Sequence, residues 1–158
     1  MEFHAEIEKT DKKEGWGGAR EGAGRKVLNA SLSVPFTALG REVRLTPKMS
    51  RPPKFDYSSI YGSLIGTKYA DKCPDMLVDD LWYEHEGFIT SNAKRAFSNM
   101  MNHGLKQSAR LVIDRPNLTE RYMRRSVNGR IERGEDIQEL WIREADGSLT
   151  LFYKKTDG

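Results

Sequence analysis

Residues 74–88, PDMLVDDLWYEHEGF, hold five carboxylates in a stretch otherwise composed like a β-hairpin. If DMLV and LWYEHE pair with a turn at Asp79-Asp80, Val78 faces Leu81, Leu77 faces Trp82 and Asp75 faces Glu84. Side chains alternate along a strand, so Glu84 and Glu86 project from one face while Leu81, Tyr83 and His85 project from the other. Opposed cross-strand Cβ atoms lie about 5 Å apart, and like charges there destabilise a sheet. Asp75, Glu84 and Glu86 would crowd one face, a cost that a bound cation or an adjacent base relieves. A hard divalent ion, Mg²⁺ or Mn²⁺, is the simplest relief, because one or two carboxylates with water and phosphate oxygens suffice to hold it. A second reading keeps the three acids as a solvated sheet face. A three-residue turn would shift the register and separate Asp75 from Glu84.

Other chemistry-bearing residues form weaker patterns. YEHEGF is not a zinc-protease motif, because HExxH needs a second His where Phe88 stands. His85 and His103 could form an acid–base pair of the kind used by metal-free ribonucleases, although a lone His on a sheet face is more often structural; His4 falls in a tail-like segment. The single cysteine, Cys73, excludes an internal disulfide and a cysteine-built metal site, and reads as an inert small apolar residue. Ser and Asp are scattered without the logic of a catalytic triad.

The surrounding pattern is α/β: a mixed sheet with packed helices in the order β-β-α-β-α-β-β from Pro74 onward. SNAKRAFSNMMNHGLKQSA (91–109) is predicted as an amphipathic helix with Ala93, Phe97, Met100, Met101 and Leu105 on its apolar face and Ser91 or Asn92 as N-cap. RLVID (110–114) reads as a short strand. LTERYMRRSVNGRIERG (118–134) reads as a helix capped by Thr119, with Met123, Val127 and Ile131 inward and Gly134 past its end. IQELWIRE (137–144) and LTLFYKK (149–155) are predicted to close the domain as a hairpin turning at Asp146-Gly147. Arg124, Arg125, Arg130 and Arg133 spread around their helix and read mostly as surface charge, with one or two phosphate contacts among them. Before Pro74 the signals are weak. Residues 29–45 offer a short helix or a strand, TPKMSRPPKF (46–55) is a proline-rich loop, and 57–72 mixes turn and apolar residues without a periodicity.

The expected organisation is therefore a flexible basic Gly-rich arm over 1–28, a partly ordered linker over 29–56, and an α/β domain over 57–158. Residues 1–56 carry 11 Lys and Arg against 8 Asp and Glu, while 57–158 carry 15 of each, so the net charge of +3 resides in the N-terminal third. A neutral domain with a weakly basic arm is compatible with nucleic acid as partner. Arg20, Arg25 and Lys26 in KKEGWGGAREGAGRK are candidate phosphate or minor-groove contacts, or else part of a solubilising tail. That arm resembles GGARxGAGRK segments near the N-termini of proteins from phages and other mobile elements. No apolar run approaches the roughly 18 residues of a membrane span, and the N-terminal residues lack a signal-peptide core. A cytoplasmic location with no membrane partner is the expectation.

A PD at the end of one strand, a following strand that ends in the ExE of Glu84 and Glu86, and then a helix and another strand together resemble the core of the PD-(D/E)xK nuclease superfamily. The run PDMLVDDLWYEHEGF…NMMNHGLKQSARLVID is also similar to nuclease toxin domains at the C-termini of contact-dependent growth inhibition proteins, and to small proteins of Bacteroides-type conjugative elements. The resemblance spans about residues 66–154. It implies a restriction-endonuclease-like fold, metal binding by Asp75 and Glu84, and cleavage of nucleic acid, with RNA or tRNA slightly preferred. One position departs from the motif: its Lys, which positions or activates the attacking water, is replaced by Glu86. In that case Glu86 is a further ligand or general base, and Lys106 or Lys94 supplies the missing cation, with Gln107 a weaker candidate. Arg95, Asn99, Asn102 and Lys106 line one stripe of the helix opposite its apolar face, either a nucleic-acid contact surface or a solvated one. The expected activity is metal-dependent phosphodiester hydrolysis, with an immunity or inhibitor protein as a further partner. The alternative is a non-catalytic nucleic-acid-binding accessory protein of a mobile element.

Overall fold

The computed structural model describes residues 35–46, 57–87 and 91–158. The arm with Arg20, Arg25 and Lys26, and His4, lie outside the described residues. Six strands form one mixed sheet in chain order: β1 (Val43–Leu45), β2 (Met76–Val78), β3 (Leu81–Glu86), β4 (Arg110–Asp114), β5 (Glu139–Arg143) and β6 (Leu149–Lys154). β1, β2 and β3 run antiparallel in turn, β3–β4 and β4–β5 are parallel, and β5–β6 is antiparallel. Each parallel step is bridged by a helix, as parallel neighbours require. These helices are α2 (Ala93–Gly104) and α3 (Glu120–Glu132), and the five-residue α1 (Tyr57–Tyr61) with a 3-10 turn (Gly62–Leu64) precedes β2.

The helices begin where their caps dictate. The Asn92 side chain accepts the Arg95 amide and the Thr119 side chain accepts the Tyr122 amide, each meeting one of the orphan donors of a first turn. α2 stops at Gly104, short of the expected end at 109, and Lys106, Gln107 and Ser108 turn the chain back into β4. Arg130 departs from the surface role expected of the α3 arginines: it is buried, and donates to Glu135 (2.9 Å) and to the Ser98 carbonyl (3.3 Å).

Two segments without a clear sequence signal also take part. Residues 29–45 supply both alternatives, a helical turn at 35–38 and β1, so the sheet draws its first strand from ahead of residue 57. Tyr57 and Tyr61 stack at 5.1 Å along α1, an i,i+4 aromatic pair.

α1, α2 and α3 pack on one face of the sheet. Phe97, Met100 and Met101 of α2 and Met123 and Val127 of α3 cover Leu111, Ile113, Leu140 and Ile142. Tyr61 and Leu64 cover Trp82 and Leu77 on the same face. On the other face Phe36 packs with Met76, Val78, Tyr83 and Val112, and the Arg41 guanidinium lies over the Phe36 and Tyr83 rings. Among the described residues no helix is long and apolar enough to cross a membrane.

Candidate functional site

The hairpin has the register expected of a two-residue turn. Val78 pairs with Leu81, Leu77 with Trp82 and Met76 with Tyr83, which sets Asp75 opposite Glu84 one step further on. The turn residues Asp79 and Asp80 have φ of 48° and 64°, the left-handed pair that suits the twist of a tight hairpin. Asp79 also accepts the Arg41 guanidinium (2.7 Å) and the Glu42 amide (2.8 Å), tying the turn to the chain ahead of β1.

Asp75 and Glu84 are buried, 4% and 3% exposed, and each is fastened by the other strand's backbone. The Asp75 amide donates to Glu84 Oε2 (3.1 Å) and the His85 amide donates to Asp75 Oδ2 (3.0 Å). These bonds fix both carboxylates without neutralising them. Thr46, next to the end of β1, anchors the same corner by donating to the Pro74 carbonyl and to the Asp75 carbonyl. Glu86, half-buried, follows on the same face one strand repeat away, and the last turn of α2 lies against it: a Cβ at Gly104 would stand 3.2 Å from Glu86 Cγ and 2.7 Å from Leu111 Cδ2.

Tyr61 belongs to this corner and was not singled out by the sequence. Its side chain is fully buried, and burial pushes its hydroxyl up to about 12; a hydrogen bond with Thr46 works against that rise, while the nearby Cys73, Asp75 and Glu84 add to it. Tyr61 is therefore a protonated phenol beside two carboxylates at neutral pH. The i,i+4 tyrosines of YSSIY were its sequence signal.

The basic candidates separate. Lys94 stands over the Tyr122 ring at 5.2 Å, drawn toward α3. Lys106 is exposed, two residues beyond Gly104. Gln107 reaches the acid corner, its Oε1 accepting the Cys73 amide at 3.3 Å, and Cys73 itself packs against the Tyr61 cluster. Arg95 and Asn102 are exposed and Asn99 half-buried, so the stripe lies open on α2. His85 and His103 do not meet. His103 is exposed on α2, while His85 projects from the other face of the sheet, where its Nε2 lies 3.0 Å from Asp114 Oδ1. Arg143 Nε donates to that same oxygen at 2.7 Å. Burial pushes the Asp114 carboxyl up, but His85 and Arg143 outweigh it and hold the group below the usual carboxylate range.

The donor chemistry at Asp75 and Glu84 fits a hard divalent ion. Carboxylate oxygens are the hard donors such an ion takes, and a backbone amide orients each of the two side chains. Among the described residues, no three His, Cys, Asp or Glu side chains are gathered as a metal-ligand group. Comparison with known proteins found no matching family model, no similar curated protein and no similar solved structure.

Proposed function

We propose that the protein is a metal-dependent nuclease, hydrolysing phosphodiester bonds in nucleic acid, with RNA slightly preferred. The observation that carries this reading is the juxtaposition of Asp75 and Glu84 across the β2–β3 hairpin on the face covered by helices. The PD-(D/E)xK resemblance supports the reading where ExE ends β3 and a helix and a strand follow, although Pro74 and Asp75 precede β2 rather than end it. Asp75 and Glu84 would hold Mg²⁺ or Mn²⁺, which when bound polarises a phosphate and lowers the pKa of water. The backbone amides keep the two carboxylates in place, so little reorganisation is needed on loading. Glu86 accepts a proton or completes the ligand set from the same face. Tyr61, protonated, lies beside the two carboxylates at the acid corner. Lys106, rather than Lys94 on its Tyr122 ring, supplies positive charge for the developing oxyanion.

A second reading, a non-catalytic nucleic-acid-binding protein, draws on the same hydrogen bonds: carboxylates that clamp opposing backbone amides already have a structural use. Incubating the protein with tRNA and DNA in Mg²⁺, Mn²⁺ or EDTA separates the two. The nuclease cleaves only with metal, and Glu84→Gln lowers the rate at least about a hundredfold, since the ion contributes several kcal/mol to the transition state. The side-chain amide oxygen introduced by Glu84→Gln still accepts the Asp75 N–H, so the variant without metal melts at the parent temperature or above it. It also loses the stabilisation that Mn²⁺ gives the parent. Cleavage in EDTA that survives Glu84→Gln would sink this reading, and metal ions that shift neither melting curve favour the non-catalytic one.

A further inference from the structure

A groove of about 460 Å³ opens beside the starts of β3 and β4, where Tyr69, Trp82, Gln107, Arg110 and Gln138 meet Lys68. Arg110 Nε is buried there without a hydrogen-bond partner among the described residues. A guanidinium stays charged at any ordinary pH, and a buried charged donor without an acceptor is costly. The chain itself holds the residue in this position. The Arg110 amide donates to Ser108 Oγ (3.0 Å), and Ser108 Oγ donates to the Trp82 carbonyl (2.7 Å), so the start of β4 is pinned to β3 while the guanidinium lacks an acceptor for Nε. Lys68 brings a second cation. The acid within the groove, Asp136, is already matched by Lys68 (2.9 Å) and by the Gln138 amide (2.5 Å), and Asp80 belongs to the exposed hairpin turn. Among the described residues Arg110 Nε is left without an acceptor, while Asp80 and Asp136 stand in the same lining.

We propose that this groove binds a nucleotide unit, its phosphate held by the guanidinium of Arg110 with Lys68 and its base between the aromatic and amide walls. Guanidinium is the side chain best suited to phosphate, and a volume of this size takes a nucleoside as well as its phosphate. Tyr69 and Trp82 line the groove with aromatic surface, Lys68 Nζ lying 5.0 Å from the Tyr69 ring centroid, and the amides of Gln107 and Gln138 add donors and acceptors for a base edge. Carboxylate ligands would satisfy Arg110 but leave the aromatic and amide walls unused. The site requires neither metal nor cleavage, and it stands if the hydrolytic reading fails.

The test uses the full chain in EDTA, with three probes: adenosine 5′-monophosphate, adenosine, and a fluorescein-labelled single-stranded RNA of ten nucleotides. The parent binds a phosphorylated probe and ignores adenosine. Arg110→Gln weakens that binding at least tenfold, and for the RNA lowers the slope of log affinity against log salt by about 1. Displacement of the RNA by the mononucleotide identifies the free nucleotide as a sufficient ligand; RNA binding that needs Arg110 but resists the mononucleotide identifies a unit within a strand. Lys68→Ala, at an exposed position, weakens binding severalfold and carries the test should Arg110→Gln fold poorly. Failure of the parent to bind either phosphorylated probe, or parent-like affinity in a folded Arg110→Gln or in Lys68→Ala, overturns the proposal.

Discussion

His85 shows how much a single residue's face decides. One position along β3 separates it from Glu84, and that step carries it through the sheet to Asp114 and Arg143. The three form a compact polar group where β3, β4 and β5 end, away from the paired acids. Asp114→Asn removes the carboxylate that both partners use, and is expected to cost about 1.5–3 kcal/mol at pH 7, the range for hydrogen bonds to a charged group. The pH dependence follows from the sign of the shift. The folded Asp114 carboxyl lies below its unfolded value of about 3.9, so its contribution is complete above that pH and is lost as pH falls through the lower folded value. Urea unfolding of parent and variant at pH 7, 5 and 2.5 should show a gap that is constant over the first two and narrows at the third. A gap as wide at pH 2.5 as at pH 7 contradicts the assignment.

At the scale of elements, the hairpin was the most legible feature, because alternation and a two-residue turn leave one register that buries Met76, Val78 and Trp82. The turn itself is improvable. Asp80 has φ of 64° and its exposed side chain ties the turn to nothing, whereas Asp79 holds Arg41 and the Glu42 amide. Asp80→Gly should therefore stabilise by about 0.5–1 kcal/mol, raising the melting temperature by about 1–4 °C, while Asp79→Gly should not. Calorimetry of the two variants checks the order; equal effects would mean that Asp79 contributes nothing through its bonds. Gly104 poses the opposite case. Its missing side chain lets α2 press against Leu111 and Glu86, so Gly104→Ala should destabilise by about 1–3 kcal/mol despite alanine's better helix propensity. A stabilised Gly104→Ala, read by denaturant midpoint, would mean that Leu111 yields without cost. The short elements were less legible. β1 has three residues and α1 five, too few for a periodicity to emerge, and each is held by partners distant in sequence.

For the molecule as a whole, the α/β class and the run of helices and strands after Pro74 were readable from apolar spacing and caps. The mixed sheet adds β1 at one edge, and with it the Thr46 anchor of the acid corner. Tyr61 escaped notice because its role depends on which face α1 covers, information that local sequence does not hold. The groove around Arg110 was equally hidden: its walls come from segments near residues 68, 82, 107 and 138, brought together only by the β3–β4–β5 pairing. Asp75 and Glu84, by contrast, sit within ten residues of each other across a single turn, the range over which strand geometry alone suffices.

Because the strands lie in the sheet in the order in which they occur in the chain, each can join the margin left by its predecessor, and no strand must be threaded between two already paired. The loops to be closed are nevertheless unequal. β2–β3 and β5–β6 close over short turns, whereas β4 waits on two helical crossovers. Loop closure should thus proceed from the flanks inward, with β4 as the keystone that joins two preformed hairpins. In pulsed hydrogen exchange during refolding, the amides shared by β2 and β3 and by β5 and β6 should gain protection before those of Leu111, Val112 and Ile113. On this order the paired acids are assembled early, in a ribbon still open to water, and only later enclosed as α2 settles on Leu111 and Glu86.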